Sequence, residues 1–231
     1  MIGILGGMGT QAGLDFCNKL AMLNRGKTDQ KYPLFILYNK SNIPGRPENL
    51  HKYNKVLKSL IKGCLVLQKN NCKFIVIPCN TAHYWYDDLR KKIKVPIVSM
   101  PKEVYLHTKK SCKKKSKIGM LSTEATIKTK VYSKFFDKNF NLINPTKSLQ
   151  AKSVNKAIKF VKMGKIKEAA KAIKVSINYL VKMKCKKIIL GCTELPIAIF
   201  AFKSLRKSKL SKIFIDPNLL LAEVAMKKYK A

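Results

Sequence analysis

Two cysteines close the same local sequence in the two halves of this chain. Cys72-Lys73-Phe74-Ile75-Val76-Ile77-Pro78-Cys79-Asn80 parallels Cys185-Lys186-Lys187-Ile188-Ile189-Leu190-Gly191-Cys192-Thr193, 113 positions later. In both, a β-branched run ends on a thiol followed by a small polar residue. A thiol has a reference pKa of about 8.5, which a helix N-terminus can draw toward neutrality. Two thiols presented to opposite faces of one carbon acid can take a proton from one face and return one to the other. One begins as thiolate and the other as thiol, and turnover exchanges the two states. Inversion at the α-carbon of an amino acid calls for this arrangement, because a single base cannot serve both faces. The α-proton is far less acidic in water than a thiol, so the site must also stabilise an enediolate-like carboxylate. Backbone N–H groups in the turns after each strand, with Asn80, Thr81, Thr123, Thr126 and Thr193, can supply preorganised donors for it.

The elements that must position these thiols are duplicated as well. Ile2-Gly3-Ile4-Leu5 is matched by Ile118-Gly119-Met120-Leu121, 116 positions on, with Thr10 falling on Thr126 and Phe16 on Tyr132. Two offsets that differ by three residues describe one repeated unit with small loop changes. Strands are expected at Ile2–Leu5, Phe35–Tyr38, Phe74–Ile77, Ile97–Val98, Lys117–Leu121, Lys187–Leu190 and Ile213–Ile215. Amphipathic helices are expected at Ala12–Leu23, Leu50–Lys69, Lys128–Phe136, Ser153–Met163, Ile166–Met183 and Leu219–Lys228. Strands alternating with helices give βαβ units and parallel sheets. The expected fold is therefore α/β, with two similar doubly wound domains related by pseudo-two-fold symmetry. They span 1–98 and 99–212, with the C-terminal helix of 213–231 packing back on the first. Ligands of such sheets sit at the carboxyl ends of the strands. Cys79 and Cys192 both fall there, and the active site is expected in the cleft between the domains.

Composition narrows the alternatives. The net charge of +36 by itself suggests nucleic acid or an anionic surface. Only four of the 48 basic residues are arginine (Arg25, Arg46, Arg90 and Arg206), however, and the lysines are spread over the whole chain. Nucleic-acid readers exploit the arginine fork, so a solvated lysine-rich surface is the better account, and neither a nucleic-acid nor a membrane partner is expected. No apolar run reaches the roughly 18 residues of a membrane span. Seven cysteines without an export leader indicate free thiols in the cytoplasm. Cys17, Cys64, Cys72, Cys112 and Cys185 read as small buried hydrophobes. Cys72 and Cys185 cannot share a metal with the thiols seven residues on, since seven strand residues span about 23 Å. No metal is expected. The opening Gly3-x-x-Gly6-Gly7-x-Gly9 does not have the dinucleotide spacing G-x-G-x-x-G, so its glycines serve a turn or a close approach to substrate. His83, four residues after Cys79, could tune the thiolate or simply pack. Glu194 could orient a substrate ammonium or cap the following helix.

The motifs Ile4-Leu5-Gly6-Gly7-Met8-Gly9, Pro78-Cys79-Asn80-Thr81-Ala82-His83 and Leu190-Gly191-Cys192-Thr193-Glu194 resemble the aspartate/glutamate racemase family over nearly the whole chain. The resemblance implies two similar α/β domains with a thiol from each in the interdomain cleft, no pyridoxal phosphate or other cofactor, and a homodimer. It implies Cys79 and Cys192 as catalytic residues, with Met8, Asn80, Thr81, Thr123, Thr126, Thr193 and Glu194 around the substrate. Arg46, in Ile43-Pro44-Gly45-Arg46-Pro47, and Lys162, in Val161-Lys162-Met163-Gly164, are implied as the cations for the distal carboxylate of the aspartate branch. A lone arginine in a lysine-rich chain suits a bidentate carboxylate partner. Gly45 and Pro47 flank that arginine where the aspartate branch carries Asp before it and Thr or Ser after it. Glu194 stands where glutamate racemases have His, and the Gly-Gly-Met-Gly opening replaces their Asp-Ser-Gly. Aspartate is the expected substrate and glutamate, or a broader range of amino acids, the alternative. A nucleic-acid-binding protein, a silent amino-acid binder and related dicarboxylate chemistries are the remaining classes.

Overall fold

The computed structural model describes residues 1–24, 28–201 and 209–231. Arg25 and Arg206 lie outside the described residues. The chain divides into two compact units, Met1–Glu103 together with Asn218–Ala231, and Val104–Pro217.

In the first unit the order is β1 (Ile2–Gly6), α1 (Thr10–Leu23), β2 (Phe35–Asn39), α2 (Tyr53–Lys69), β3 (Phe74–Val76), α3 (Tyr86–Lys92) and α4 (Met100–Ser111), which continues into the second. The sheet runs β2-β1-β3, all parallel, with Ile4 opposite Leu37 on one side and Val76 on the other. Residues 97–98, expected as a strand, form only a single parallel bridge, Ile97 to Ile75. Pro96 has no N–H to extend the ladder, and at Met100 the chain has already turned into α4.

β1 is buried at every position, so its alternation serves two apolar layers. Ile2 and Ile4 pack with Phe16 and Leu20 of α1, while Leu5 faces Val56, Leu60, Cys64 and Leu67 of α2. The C-terminal helix α11 (Pro217–Lys230) belongs to the first layer through Leu221, Ala222, Ala225 and Met226. It is pinned by Asn218, whose Nδ2 donates to the Ala12 carbonyl and to Asp15, both at 3.1 Å.

The second unit repeats the plan with β4 (Lys117–Ser122), α5 (Glu124–Lys128), α6 (Ser133–Phe136), β5 (Asn141–Ile143), α7 (Lys147–Leu149), α8 (Lys156–Lys162), α9 (Ile166–Lys182), β6 (Lys187–Gly191), α10 (Glu194–Phe200) and β7 (Phe214–Ile215). Its sheet runs β5-β4-β6-β7, again parallel. The first strand of each unit is therefore central, flanked by the second and third, and the cysteine follows the third. The sequence duplication is a duplication of topology.

α9 shows how a lysine-rich stretch makes a helix. Ala169, Ala170, Ile173, Ser176, Ile177 and Leu180 are buried at a spacing of three and four, and lysines fill much of the opposite face. Each buried Ile or Leu contributes about 1.5–3 kcal/mol relative to exposure. The helix expected over Lys128–Phe136 is instead two short ones, α5 and α6. Thr129 Oγ1 bonds back to the Ala125 carbonyl at 2.6 Å and Lys130 takes a left-handed φ of 53°, which ends the first helix. The helix expected from Ser153 begins earlier, at Lys147, and passes through a π-helical turn over Gln150–Asn155 before α8. Among the described residues no helix is long and apolar enough to cross a membrane.

Candidate active site

In the first unit β3 gives way after Val76 to Ile77 and Pro78, and the Cys79 N–H turns back to the Ile77 carbonyl at 2.7 Å. A single 3-10 turn, Thr81–Trp85, follows, so Cys79, Asn80 and Thr81 sit where strand becomes helix, all three buried. Met8, Ile43, Cys79 and Ala82 share one packed cluster. Gly7, just before Met8, has φ +87°, and a side chain there would collide with the backbone of Lys40. Only glycine allows that loop to lie against the end of β2. Arg46 lies on the loop after β2, its Nη1 donating to the carbonyls of Ile43 at 3.4 Å and Pro44 at 3.2 Å. Its Nε–H is buried and has no hydrogen-bond partner. The guanidinium is thus held by the loop through Nη1.

His83 does not reach the Cys79 sulfur. Its Nε2 accepts from the Met100 N–H at 3.1 Å, which puts the proton on Nδ1, and Nδ1 donates to the Cys79 carbonyl at 2.9 Å. The buried ring ties the cysteine turn to the start of α4, so its effect on the thiol passes through the backbone.

In the second unit Ser122 and Gly191 are in register, so Thr123 and Cys192 leave the sheet from adjacent strand ends. Thr123 caps α5, its Oγ1 accepting from the Thr126 N–H at 3.2 Å and lying 3.0 Å from Thr126 Oγ1. The Cys192 thiol donates to Glu194 Oε2 at 3.0 Å, and Thr193 Oγ1 donates to the same oxygen at 3.4 Å. Thr193, the N-cap of α10, makes no side-chain cap, and the Glu194 carboxylate is turned on the sulfur. Burial pushes the Cys192 thiol well above its ordinary value, the Glu194 carboxylate adds to this, and the positive charge of Lys162 opposes it. The helix-terminus expectation of a more acidic thiol is thus reversed here: Cys192 rests as thiol. Lys162, at the end of α8, is exposed but near enough for its charge to be felt at the sulfur.

The structure thus groups Met8, Arg46, Asn80 and Thr81 on the Cys79 unit and Thr123, Thr126, Lys162, Thr193 and Glu194 on the Cys192 unit. The thiol-to-carboxylate bond was not read from the sequence, although a glutamate two residues after a strand-end cysteine was its trace. All seven cysteines are free. Burial raises Cys17 to about 11 and Cys64 to about 12, which leaves both as thiols. Among the described residues no group of three or more His, Cys, Asp or Glu could hold a metal ion.

The description Asp/Glu/Hydantoin racemase matches this chain from residue 5 to 225. The chain belongs to that family. This racemase is 27% identical over 202 residues to the broad-specificity amino-acid racemase of Bacillus subtilis, an alignment covering 84% of this chain and 86% of that one. It is 33% identical over 181 residues to a glutamate racemase of Sulfurihydrogenibium, covering 75% and 66% respectively. The aspartate racemase of Picrophilus torridus superposes with a TM-score of 0.84 at 29% identity, over 99% of this chain and 94% of that one. The enzyme is an amino-acid racemase, and its two α/β units with parallel sheets match the two-domain architecture of racemase structures.

Proposed function

We propose that this racemase interconverts L- and D-aspartate without pyridoxal phosphate, using Cys79 and Cys192 as the two proton-transfer groups. The observation that carries the reading is the repeated plan itself. In each unit the third strand is followed by a buried cysteine, and that at once by a buried Asn80 or Thr193. One thiolate removes the α-proton, the other thiol delivers a proton to the opposite face, and their protonation states are exchanged after turnover. Cys192 enters as the thiol, hydrogen-bonded to Glu194. Once it has given up its proton, a thiolate is left beside a carboxylate, and Lys162 offsets part of that repulsion. Thr123, Thr126 and the turn amides stabilise the enediolate-like carboxylate. Arg46, through the rest of its guanidinium fork, and Lys162 receive the distal carboxylate.

Glutamate or a broader range of amino acids is the second reading, favoured by the names of the Bacillus and Sulfurihydrogenibium relatives. The test is incubation of pure enzyme, without pyridoxal phosphate, with L-aspartate, L-glutamate and a panel of neutral L-amino acids in D₂O. α-Deuteration is followed by NMR and the D-isomer by chiral chromatography. Fast exchange confined to aspartate supports the proposal. Faster turnover of glutamate or of neutral amino acids refutes the assignment of aspartate, and exchange that requires added pyridoxal phosphate refutes the two-thiol mechanism.

A further inference from the structure

The two thiols are joined to their sheets unequally. β6 stays paired with β4 as far as Gly191, so Cys192 follows a residue still in the ladder. β3 ends at Val76, and Ile77 and Pro78 separate it from Cys79. Pro78 has no N–H to give, and the Cys79 N–H is taken up by a tight turn back to the Ile77 carbonyl at 2.7 Å. The sheet therefore fixes Cys192 closely but reaches Cys79 only through an irregular turn, whose carbonyl needs a partner from elsewhere.

His83 is that partner. Its ring is buried and stacked on Tyr86, with centroids 6.1 Å apart, and the Tyr86 hydroxyl donates to the Ile97 carbonyl at 3.1 Å. His83 Nδ1 lies 2.9 Å from the Cys79 carbonyl, and Nε2 lies 3.1 Å from the Met100 nitrogen, with the Val98 carbonyl farther off at 3.5 Å. A main-chain N–H can only donate, so Nε2 accepts from Met100 and the proton of the neutral ring sits on Nδ1, facing the Cys79 carbonyl. One planar side chain thus spans the cysteine turn and the first residue of α4, the helix through which the chain passes into the second unit.

The duplicated unit provides the comparison. Four residues after Cys192 stands Pro196, whose side chain can neither donate nor accept, and there Glu194 acts on the sulfur itself. At the position matching Glu194 the first unit has Thr81. The second thiol is held by a carboxylate on its sulfur, the first by an imidazole on its main chain. The second kind of restraint sets where the sulfur stands without engaging it.

We propose that His83 is a positioning residue for proton transfer at Cys79: its bond to the Cys79 carbonyl fixes the direction from which the thiol meets the substrate α-carbon. The proposal rests on the reading of Cys79 as a proton-transfer group. A misplacement of about 1 Å at a reacting group costs up to about 100-fold in rate, so loss of this bond acts on kcat and leaves substrate binding largely intact.

The test uses the full-length enzyme and the amino acid it racemises fastest, with kcat, KM and melting curves for three variants and for Cys79→Ser. His83→Asn puts an amide N–H where Nδ1 stands and drops the bond to Met100. His83→Gln carries an acceptor out to the place of Nε2 and drops the bond to the Cys79 carbonyl. His83→Phe keeps a ring and drops both. In the Gln and Phe variants kcat should fall about 10- to 100-fold with KM little changed. The Asn variant should keep most of the parent's kcat even though it melts earlier. Parent-like kcat in the Phe or Gln variant, an Asn variant as slow as Phe, or losses confined to KM would overturn the proposal. If Cys79→Ser still turns over, the two-thiol reading itself has failed; if it is inactive while the Phe variant runs at the parent's rate, only the role given to His83 has. The parent supplies an arm that needs no variant to fold. Nitrogen NMR of its imidazoles should show His83 neutral with the proton on Nδ1, and a proton on Nε2 would overturn the proposal.

Discussion

Replacing Glu194 by Gln removes one charge from the Cys192 site while keeping the shape and an oxygen able to accept from the thiol. Glu194 Oε2 lies 3.0 Å from the sulfur, and both groups are buried. A neighbouring charge at such range shifts a titration by about 1–3 pKa units. Both burial and the carboxylate raise the thiol, so removing the carboxylate must move its titration toward acid, leaving the burial contribution in place. At a fixed pH below the titration the thiolate fraction then rises about tenfold to a thousandfold. Because a less basic thiolate is also a weaker nucleophile, with a Brønsted slope of about 0.4–0.5, the alkylation rate rises by about 3- to 30-fold. The assay is iodoacetamide labelling of Cys192 in a Cys79→Ser background, read by peptide mass spectrometry as a rate against pH. Lys162→Ala is the internal control and should move the midpoint the other way, toward alkali. A Glu194→Gln midpoint that stays in place or moves to higher pH would refute the claim that this carboxylate holds the thiol protonated.

Cys79→Ser and Cys192→Ser should each abolish racemisation while leaving the far-UV circular dichroism and the melting curve close to those of the parent; robust turnover in either would contradict the two-thiol mechanism. Leu221→Ala, which empties a fully buried position where the C-terminal helix meets β1 and α1, should lower stability by about 2–5 kcal/mol in urea titration. Gly7→Ala should cost about 1–3 kcal/mol or more in the same assay, since it places a side chain at φ +87° against the Lys40 backbone. A neutral result there would mean that the loop can move aside.

The apolar runs, the duplicated cysteine motifs and the spacing of the long helices were all readable in the chain, because β-branched runs and three-to-four periodicity are local consequences of burial. The doubly wound class followed from strand–helix alternation. What escaped was set by tertiary partners. α4 carries few apolar residues, but Met100, Val104 and Thr108 recur every fourth position and each is buried. β5, three residues with a polar start, is a strand only because β4 lies beside it. The break after α5 and the π-turn at Gln150 depend on backbone bonds that no residue pattern announces. The site divides in the same way. By itself the sequence determined which thiols stand at strand ends and which small polar residues follow them, since these are fixed by the order of residues along a strand. Only the tertiary structure decided that Glu194 turns on Cys192, that His83 grips the Cys79 carbonyl rather than its sulfur, and that Gln150 bonds the Ser122 carbonyl. Those outcomes depend on which buried polar groups find partners, and that is settled by packing in three dimensions, not by neighbours in the chain.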